Sequence, residues 1–309
     1  MKNIRRILVG DRLGAEVAAG LEEIRPDLEV RVRDRDALSA DDLEWAQAWT
    51  GFRAPRETGG IVWMHSMGAG VDGFLFPAPP GPGVLLTRSM EDFSSSLREY
   101  CLAHALARAQ HLRMYMEDQR AHRWNPREPS LLSGTEVLVI GTGRVGSGIA
   151  KGFRDLGAQL RGLSRSGSSG QHFVHVSRRS ELHEELATAR IVILATPLTV
   201  ETRGMMDQAA FDACRGCAVI NIGRGGLVDE AALVRALDKG TVSSAALDVF
   251  SIEPLPSGSP LWDHPGVTVT PHVGALSTPG GVVHSFLDVL EALDAGRTPP
   301  GVVDVGAGY

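Results

Sequence analysis

The segment from Val139 to Gly146 constrains the fold more than any other part of the 309-residue chain. It reads VIGTGRVG, a GxGxxG sequence that follows the apolar run EVLVI and opens a helix-like stretch. Glycines in these places allow a tight turn, close approach of the backbone to a pyrophosphate, and close packing of helix on strand. The segment therefore predicts a dinucleotide-binding βα unit whose cofactor contacts are Gly141, Thr142, Gly143, Arg144, Val145 and Gly146.

Apolar strands and helices alternate on both sides of this segment. From Glu136 onward six strand-like runs are separated by helical stretches: EVLVIG, QLRGLS, RIVILAT, CAVINIG, SSAALDVF and VTVTPH. Before residue 90, apolar runs at Ile7 to Val9, Ile61 to Met64 and Val84 to Thr87 alternate with polar helical stretches. Such alternation is typical of parallel sheets. We predict an α/β protein with a Rossmann-type, doubly wound sheet and a second, smaller α/β lobe.

Two longer helices are predicted beside these series. Leu97 to Leu112 is largely apolar, and Ser94 to Ser96 are candidate N-caps for it. A last helix is expected over Val282 to Ala295. The chain is too long for one small core and short for three domains, so its length favours two lobes.

Composition excludes several functional classes. A formal net charge of -6 gives no basic stripe that could neutralise phosphates, so we expect no nucleic-acid partner. The apolar run from Ile7 to Gly10 is too short for a signal sequence or a spanning helix, so no membrane association is expected. Three cysteines give no disulfide framework, as the reducing cytoplasm would permit.

The end of the second Rossmann strand bears on the choice of cofactor. An NAD enzyme usually offers an acid about 20 residues after the glycines, whereas this chain reads Ser164-Arg165-Ser166 there. A guanidinium flanked by hydroxyls can bind a 2'-phosphate, so we predict NADPH as the preferred cofactor, with NADH as the alternative. The other interpretation is that Arg165 is a solvated loop residue.

Three polar residues at the ends of later strands form a chemically complete set. Arg224 follows the CAVI strand, and its planar fork suits a carboxylate. His272 follows the VTVTP strand and can give a proton to a carbonyl oxygen, because imidazole ionises near neutral pH. Glu253 could hydrogen-bond the imidazole and fix its tautomer. Each residue alone could be an ordinary loop residue, but together they predict an acid-base site.

Two other patterns are weaker. Cys214 and Cys217 form a CxxC pair without a second pair of ligands, so we predict no metal site. We expect Arg178 and Arg179 to lie at the start of a helix or at a solvent-exposed edge. The alternative is that one of them contacts a 2'-phosphate near Arg165.

The ordered set of motifs resembles one family, the D-isomer-specific 2-hydroxyacid dehydrogenases, and within it the glyoxylate/hydroxypyruvate reductase branch. The motifs are VIGTGRVG, ATPLTVETRG, NIGRGGLVDEAAL, ALDVFSIEPLP, TPHVGA and VVDVGAGY. The resemblance implies that Arg224 binds the substrate carboxylate, that His272 is the general acid/base and that Glu253 is its partner. It also implies that the backbone of Gly68, Ala69 and Gly70 helps to hold that carboxylate, although these glycines could mark an ordinary turn.

Further roles rest on the same resemblance. It assigns Asp248 to the nicotinamide carboxamide, Trp49 to a substrate-side aromatic position, and the cofactor wall to Thr196, Pro197, Ile222, Gly223 and Gly274. Trp45 and Trp49 could instead both belong to the core. The family folds as two lobes with a cleft, which here implies a substrate-binding domain of residues 1–92 and 281–309 and a nucleotide-binding domain of residues 93–280. Family members are commonly homodimers joined through the long helix and the following arm, here Leu97 to Trp124.

Three functions stay open at this level. The first is NAD(P)H-dependent reduction of a small 2-oxo acid, such as glyoxylate or hydroxypyruvate, to the D-2-hydroxy acid. The second is a nucleotide-sensing binding protein or corepressor on the same fold. The third is another dehydrogenase of the family, acting on phosphoglycerate or phosphonate. His65 and Met67, before the Gly68 loop, have no assigned part in specificity.

Overall fold

The computed structural model describes residues 3–76, 78–168 and 170–309. The chain divides into two compact units. Unit 1 comprises Met1–Asp92 and Leu276–Tyr309, and unit 2 comprises Phe93–Ala275. The return to unit 1 therefore lies at Leu276 rather than at residue 281. Both units are α/β, as the sequence predicts.

Unit 1 is built on a five-stranded parallel sheet in the order β2-β1-β3-β4-β5. The strands are β1 (Arg6–Val9), β2 (Glu29–Val32), β3 (Ala48–Gly51), β4 (Trp63–Ser66) and β5 (Leu85–Arg88), and the helices are α1 (Gly14–Ile24), α2 (Ala40–Trp45), α3 (Asp72–Leu75) and α10 (Pro279–Asp294). Strands β2 and β3 were not predicted. The reason is local: EVRV is a half-exposed edge strand rich in charge, and AWTG is short and ends in glycine. Helices α1 and α10 bury apolar faces in one core cluster with β1 and β4.

Unit 2 is built on a seven-stranded parallel sheet in the order β12-β11-β10-β9-β6-β7-β8. Its strands are β6 (Glu136–Ile140), β7 (Gln159–Ser164), β8 (His175–Arg178), β9 (Ile191–Leu194), β10 (Cys217–Asn221), β11 (Val242–Leu247) and β12 (Val267–Val269), and its helices are α4 (Ser94–Ala109), α5 (Leu112–Arg120), α6 (Arg144–Asp155), α7 (Leu182–Thr188), α8 (Gln208–Ala213) and α9 (Glu230–Lys239). The six predicted strands are confirmed. Strand β8 was missed because the edge segment HVSR has two exposed polar ends.

The predicted limits of the long helix were wrong at both ends. Helix α4 starts at Ser94, because Phe93 already has helical backbone angles at the N-cap and makes no side-chain cap. The three serines therefore form the first turn instead of capping it. At the other end His111 adopts a left-handed conformation with φ 55°, which separates α4 from α5.

Parallel strands bring their carboxyl ends to one edge of each sheet. In unit 2 this edge carries the residues that follow β6, β9, β10, β11 and β12, which include most of the predicted site. Within the described residues, no helix has both the length and the apolar character needed to cross a bilayer.

Candidate active site

Two of the three glycines of the dinucleotide loop, Gly141 and Gly146, have a steric reason to be glycine. Gly141 has φ 105°, and a Cβ built there would lie 2.6 Å from the carbonyl oxygen of Ala195. A Cβ on Gly146 would collide with the carbonyl oxygen of Gly141. Gly143 is the N-cap of α6, makes no side-chain cap, and a Cβ there would meet nothing within 4 Å. The open space at Gly143 and the uncapped helix start fit a pyrophosphate.

The neighbouring loops close around the same point. Thr196 follows β9, and its backbone nitrogen lies 2.9 Å from the Cβ position of Gly141. A Cβ on Gly223, after β10, would lie 2.8 Å from the carbonyl oxygen of Thr196. Ile222 is buried and donates its N–H to Leu194, while Pro197 is exposed beside Thr196. The structure therefore brings these predicted wall residues together at the carboxyl ends of β6, β9 and β10.

The segment that follows β7 is a polar loop. The Oγ of Ser164 accepts the N–H of Gly167 at 3.0 Å, and the hydroxyls of Ser166 and Ser168 lie 2.6 Å apart. Arg165 is exposed. Arg178 is paired with Ser164 in the β7–β8 register, and its Cγ lies 2.7 Å from the Cβ position of Gly167. The structure thus places a second arginine against this loop.

Arg224 lies in a loop that its own neighbours hold in shape. The side chain of Asn221 accepts the N–H of Gly223 at 3.1 Å and donates to the carbonyl of Arg224 at 3.1 Å. A Cβ on Gly225 would collide with the backbone of Phe250, so the Arg224 loop and the loop carrying Glu253 are in close contact. Asn221 and Gly225 were not singled out from the sequence, because their roles depend on contacts between loops.

His272 and Glu253 form a directly bonded pair. The Nδ1 of His272 lies 2.8 Å from the Oε2 of Glu253, and the second oxygen of Glu253 accepts the N–H of Phe250 at 2.9 Å. Burial raises the pKa of Glu253, but hydrogen bonds from His272 and Phe250 and the charges of His272 and Arg224 outweigh it, so its pKa is lowered. An ionised Glu253 keeps a proton on Nδ1 and leaves Nε2 outside this pair. The imidazole is 45% exposed, so it is open to solvent.

Asp248 organises the backbone around His272. Its buried carboxylate accepts the hydroxyl of Thr270 at 2.7 Å and the N–H groups of Val273 and Gly274 at 2.9 and 2.8 Å. Its own carbonyl accepts the N–H of His272, which has φ 54°. Tyr100 of α4 reaches the same network through Thr270, at 2.7 Å. Asp248 therefore fixes the backbone from Thr270 to Gly274 by hydrogen bonds. Its predicted contact with nicotinamide stays a prediction.

The Gly68 loop of unit 1 follows β4. The Oγ of Ser66 accepts the N–H of Gly68 and donates to the carbonyl of Gly70 at 2.9 Å. Within the described ranges, the N–H groups of Ala69, Gly70 and Val71 have no hydrogen-bond acceptor. Backbone N–H groups without an acceptor are donors of the kind that can bind an anion.

Trp49 is corrected from a substrate-side residue to a core residue. It is completely buried with Leu8, Met64 and Phe74, because every residue of β3 is buried. Phe52 is the aromatic at the loop instead: its ring lies 3.7 Å from the Cβ position of Gly68 and is half-buried. Phe52 directly follows the last residue of β3, so a correct prediction of that strand would have indicated Phe52.

His65 and Met67 are also fully buried, in the core of unit 1. The cysteines Cys214 and Cys217 are buried thiols. Across the described ranges, no group of three His, Cys, Asp or Glu side chains is arranged to hold a metal ion.

Comparison with known proteins identifies the family. The sequence profile described as "D-isomer specific 2-hydroxyacid dehydrogenase, NAD binding domain" matches residues 102–274. Glyoxylate/hydroxypyruvate reductase A of Serratia proteamaculans is 33% identical over 310 residues, covering 95% of this chain and 96% of that protein. The enzyme of the same name from Yersinia enterocolitica is 32% identical over 94% of this chain and 95% of that protein.

Solved structures of similar proteins support the same family assignment. A D-isomer specific 2-hydroxyacid dehydrogenase from Xanthobacter autotrophicus, in complex with NADPH and MES, is 30% identical with TM-score 0.90, covering 99% of this chain and 100% of that chain. An NADPH-dependent glyoxylate/hydroxypyruvate reductase from Sinorhizobium meliloti, in complex with NADP and sulfate, is 26% identical with TM-score 0.86, covering 99% and 100%.

The class defined by this fold and site is that of nicotinamide-dependent oxidoreductases. The chain belongs to the D-isomer specific 2-hydroxyacid dehydrogenase family, and its relatives place it in the glyoxylate/hydroxypyruvate reductase A-like branch.

Proposed function

We propose that this enzyme reduces a small 2-oxo acid of the glyoxylate or hydroxypyruvate kind to the D-2-hydroxy acid, with NADPH preferred. The observation that carries the proposal is the 2.8 Å pair of His272 and Glu253, beside the Arg224 loop at the carboxyl edge of the nucleotide-binding sheet. The named relatives are glyoxylate/hydroxypyruvate reductases, which supports this substrate class.

Proton transfer is proposed for the Nε2 of His272. The nicotinamide, when bound, supplies the hydride. Nε2 would donate a proton to the oxygen of the 2-oxo group, and the ionised Glu253 would stabilise the protonated imidazole through Nδ1. In the reverse direction the same nitrogen would accept the proton from the hydroxyl. The hydrogen bonds of Asp248 with Thr270 and Gly274 are proposed to hold the backbone that carries the imidazole in place for this transfer.

Substrate orientation is proposed for Arg224 and for the amides of unit 1. A guanidinium can grip both oxygens of a carboxylate, which fixes the rotation of the acid as well as its position. The Arg224 side chain is half-buried and its Nη1 donates to the Gly223 carbonyl at 2.7 Å, so its fork is held by its own loop. The N–H groups of Ala69 and Gly70 are proposed to bind carboxylate oxygen as well.

NADPH preference is proposed from the loop after β7. Ser164, Arg165 and Ser166 occupy the place of the acid that would bind a 2'-hydroxyl. Arg178 packs its stem on Gly167 of the same loop, so two guanidinium groups belong to this region. A 2'-phosphate carries the negative charge that both would bind.

A homodimer is proposed through α4, α5 and the following arm. Exposed apolar side chains concentrate there, and Trp124 is 97% exposed. The others are Leu106, Leu112, Met114, Tyr115, Met116 and Leu131. A set of this size on one stretch favours burial against a second copy. We further propose a cytoplasmic location, which the three buried thiols fit.

The test is NADPH and NADH oxidation at 340 nm with glyoxylate, hydroxypyruvate, pyruvate and phenylpyruvate. His272→Ala serves as the inactive variant, and His183→Ala, an exposed histidine of α7, is the matched control. We expect turnover with NADPH in the wild type and the control, and its loss in His272→Ala. Equal rates in all three proteins would refute the assigned chemistry.

A further inference from the structure

Arg88 is a half-buried cation that the proposed chemistry does not use. It ends β5, where its register partner is Ser66, the residue that shapes the Gly68 loop. Over the described part of the chain its guanidinium forms no ion pair, and its one side-chain hydrogen bond goes from Nη1 to the carbonyl of Ala69 at 3.3 Å. The carboxylate of Glu91, three residues further along the chain, accepts hydrogen bonds from the N–H and the hydroxyl of Thr278.

Burial of an unpaired cation costs free energy, so an unpaired buried arginine suggests a functional role. Burial lowers the pKa of Arg88, and no neighbouring carboxylate opposes that effect. A guanidinium removed from water without a counter-ion keeps its full charge and strengthens the potential around it. Because the guanidinium donates a hydrogen bond to the carbonyl of Ala69, its positive charge lies next to the Ala69–Gly70 peptide.

The geometry of the peptide transmits this effect. In a trans peptide the carbonyl of one residue and the N–H of the next point in opposite directions. Since the carbonyl of Ala69 points to Arg88, the N–H of Gly70 points away from Arg88. This N–H has no acceptor among the described residues, and a cation bonded to the carbonyl makes it a stronger donor.

Ser66 and Phe52 limit the loop from its other sides. The Oγ of Ser66 binds the N–H of Gly68 and the carbonyl of Gly70, and the Phe52 ring lies against Gly68. Side-chain donors therefore bind the carbonyls of Ala69 and Gly70, whereas the N–H groups of Ala69, Gly70 and Val71 have no acceptor among the described residues.

We propose that Arg88 is a positioning residue for substrate: it orients and polarises the Ala69–Gly70 peptide so that the Gly70 N–H binds the carboxylate of the 2-oxo acid. This proposal rests on the proposed function for the identity of the ligand. In this role Arg88 would act through the peptide, by its hydrogen bond to the carbonyl of Ala69, and not by direct contact with the substrate.

The test compares Arg88→Met, which removes the charge and keeps a long stem, with Arg88→Lys, which keeps the charge. Arg297→Met is the matched control, because Arg297 is an exposed arginine of unit 1 whose side chain is 62% exposed. Each variant is assayed for KM and kcat with glyoxylate, for NADPH affinity, and for its melting temperature. Oxalate, a planar dicarboxylate that is not reduced, is titrated calorimetrically into each NADPH complex.

We expect Arg88→Met to raise the KM for glyoxylate and the Kd for oxalate by about tenfold, the loss typical of a charge-assisted hydrogen bond. The kcat and NADPH affinity should stay within about twofold, and Arg88→Lys should recover part of the loss. An unchanged KM and Kd in Arg88→Met would overturn the proposal. So would parallel losses in kcat, NADPH affinity and melting temperature that Arg88→Lys does not recover, because they indicate a general structural role.

The two proposals fail differently. If the wild type reduces no 2-oxo acid, the proposed function fails, and oxalate binding alone decides the role of Arg88. If the wild type is active and Arg88→Met behaves as wild type, only the Arg88 proposal fails.

Discussion

Replacing His65 by Phe should remove a large part of the acid sensitivity of unit 1. His65 is fully buried between Trp63 and Phe286, its Nδ1 lies 2.9 Å from the hydroxyl of Thr87, and its Nε2 has no partner within the described residues. Burial lowers the pKa of His65 from 6.5 to about 3. The imidazole is therefore neutral in the folded protein at pH 5, whereas in the unfolded chain it is protonated.

The sign and size of the effect follow from linkage. A lowered pKa means that the unfolded state binds more protons below pH 6.5, so the stability from the neutral imidazole is present above pH 6.5 and is lost as the pH falls. With pKa values of 6.5 unfolded and about 3 folded, the free energy of unfolding should fall by about 2 kcal/mol between pH 7 and pH 5. Phe does not titrate, keeps the aromatic packing, and should remove this part of the slope.

The assay is urea unfolding at pH 7, 6 and 5, followed by tryptophan fluorescence. Three of the five tryptophans, Trp45, Trp49 and Trp63, belong to unit 1. The comparison is between the pH dependences of wild type and His65→Phe, so the lost hydrogen bond to Thr87 affects all three pH values alike. Identical pH dependence in the two proteins would refute the idea that His65 is buried and neutral.

Four further outcomes are expected. Glu253→Gln should lower kcat by roughly 10- to 100-fold with unchanged NADPH affinity, because the neutral amide stabilises a protonated imidazole less; a larger effect on NADPH affinity than on kcat would contradict this. Arg165→Ala should raise the KM for NADPH by about tenfold or more and leave that for NADH unchanged, and equal effects on both cofactors would remove the 2'-phosphate contact. Gly143→Ala should weaken NADPH binding with little change in melting temperature, whereas Gly146→Ala should lower the melting temperature, since only the second Cβ collides with the chain; the reverse pattern would refute the loop assignment. Wild-type protein should elute in light-scattering chromatography at twice the 33.0 kDa chain mass, with Trp124→Ser shifted toward the monomer, and a monomeric wild type would exclude the proposed dimer.

Sequence periodicity predicted unit 2 better than unit 1. Strands β6, β9 and β10 are fully or almost fully apolar and read clearly, and glycine spacing placed the loop after β6. Strands β2 and β8 lie at sheet edges, where polar residues hide the pattern. Because β3 was missed, Trp49 was assigned to the substrate and Phe52 was not considered.

The candidate site was predicted only as separate residues. Strand ends indicated Arg224, Glu253 and His272, but no spacing rule shows that Glu253 bonds Nδ1 of His272 or that Asp248 binds the N–H of Gly274. Arg88 carried no motif at all. Its hydrogen bond to the carbonyl of Ala69 joins the end of β5 to the loop after the neighbouring strand β4, and only the folded chain shows this contact.

Transfer of deuterium from the cofactor to the product tests the proposed reduction of a 2-oxo acid. The enzyme is supplied with hydroxypyruvate and NADPH that carries deuterium at both C4 positions, and the product is analysed by NMR and chiral chromatography. We expect D-glycerate with deuterium at C2, formed by wild type and not by His272→Ala. L-glycerate, product without deuterium at C2, or equal product from His272→Ala would contradict it.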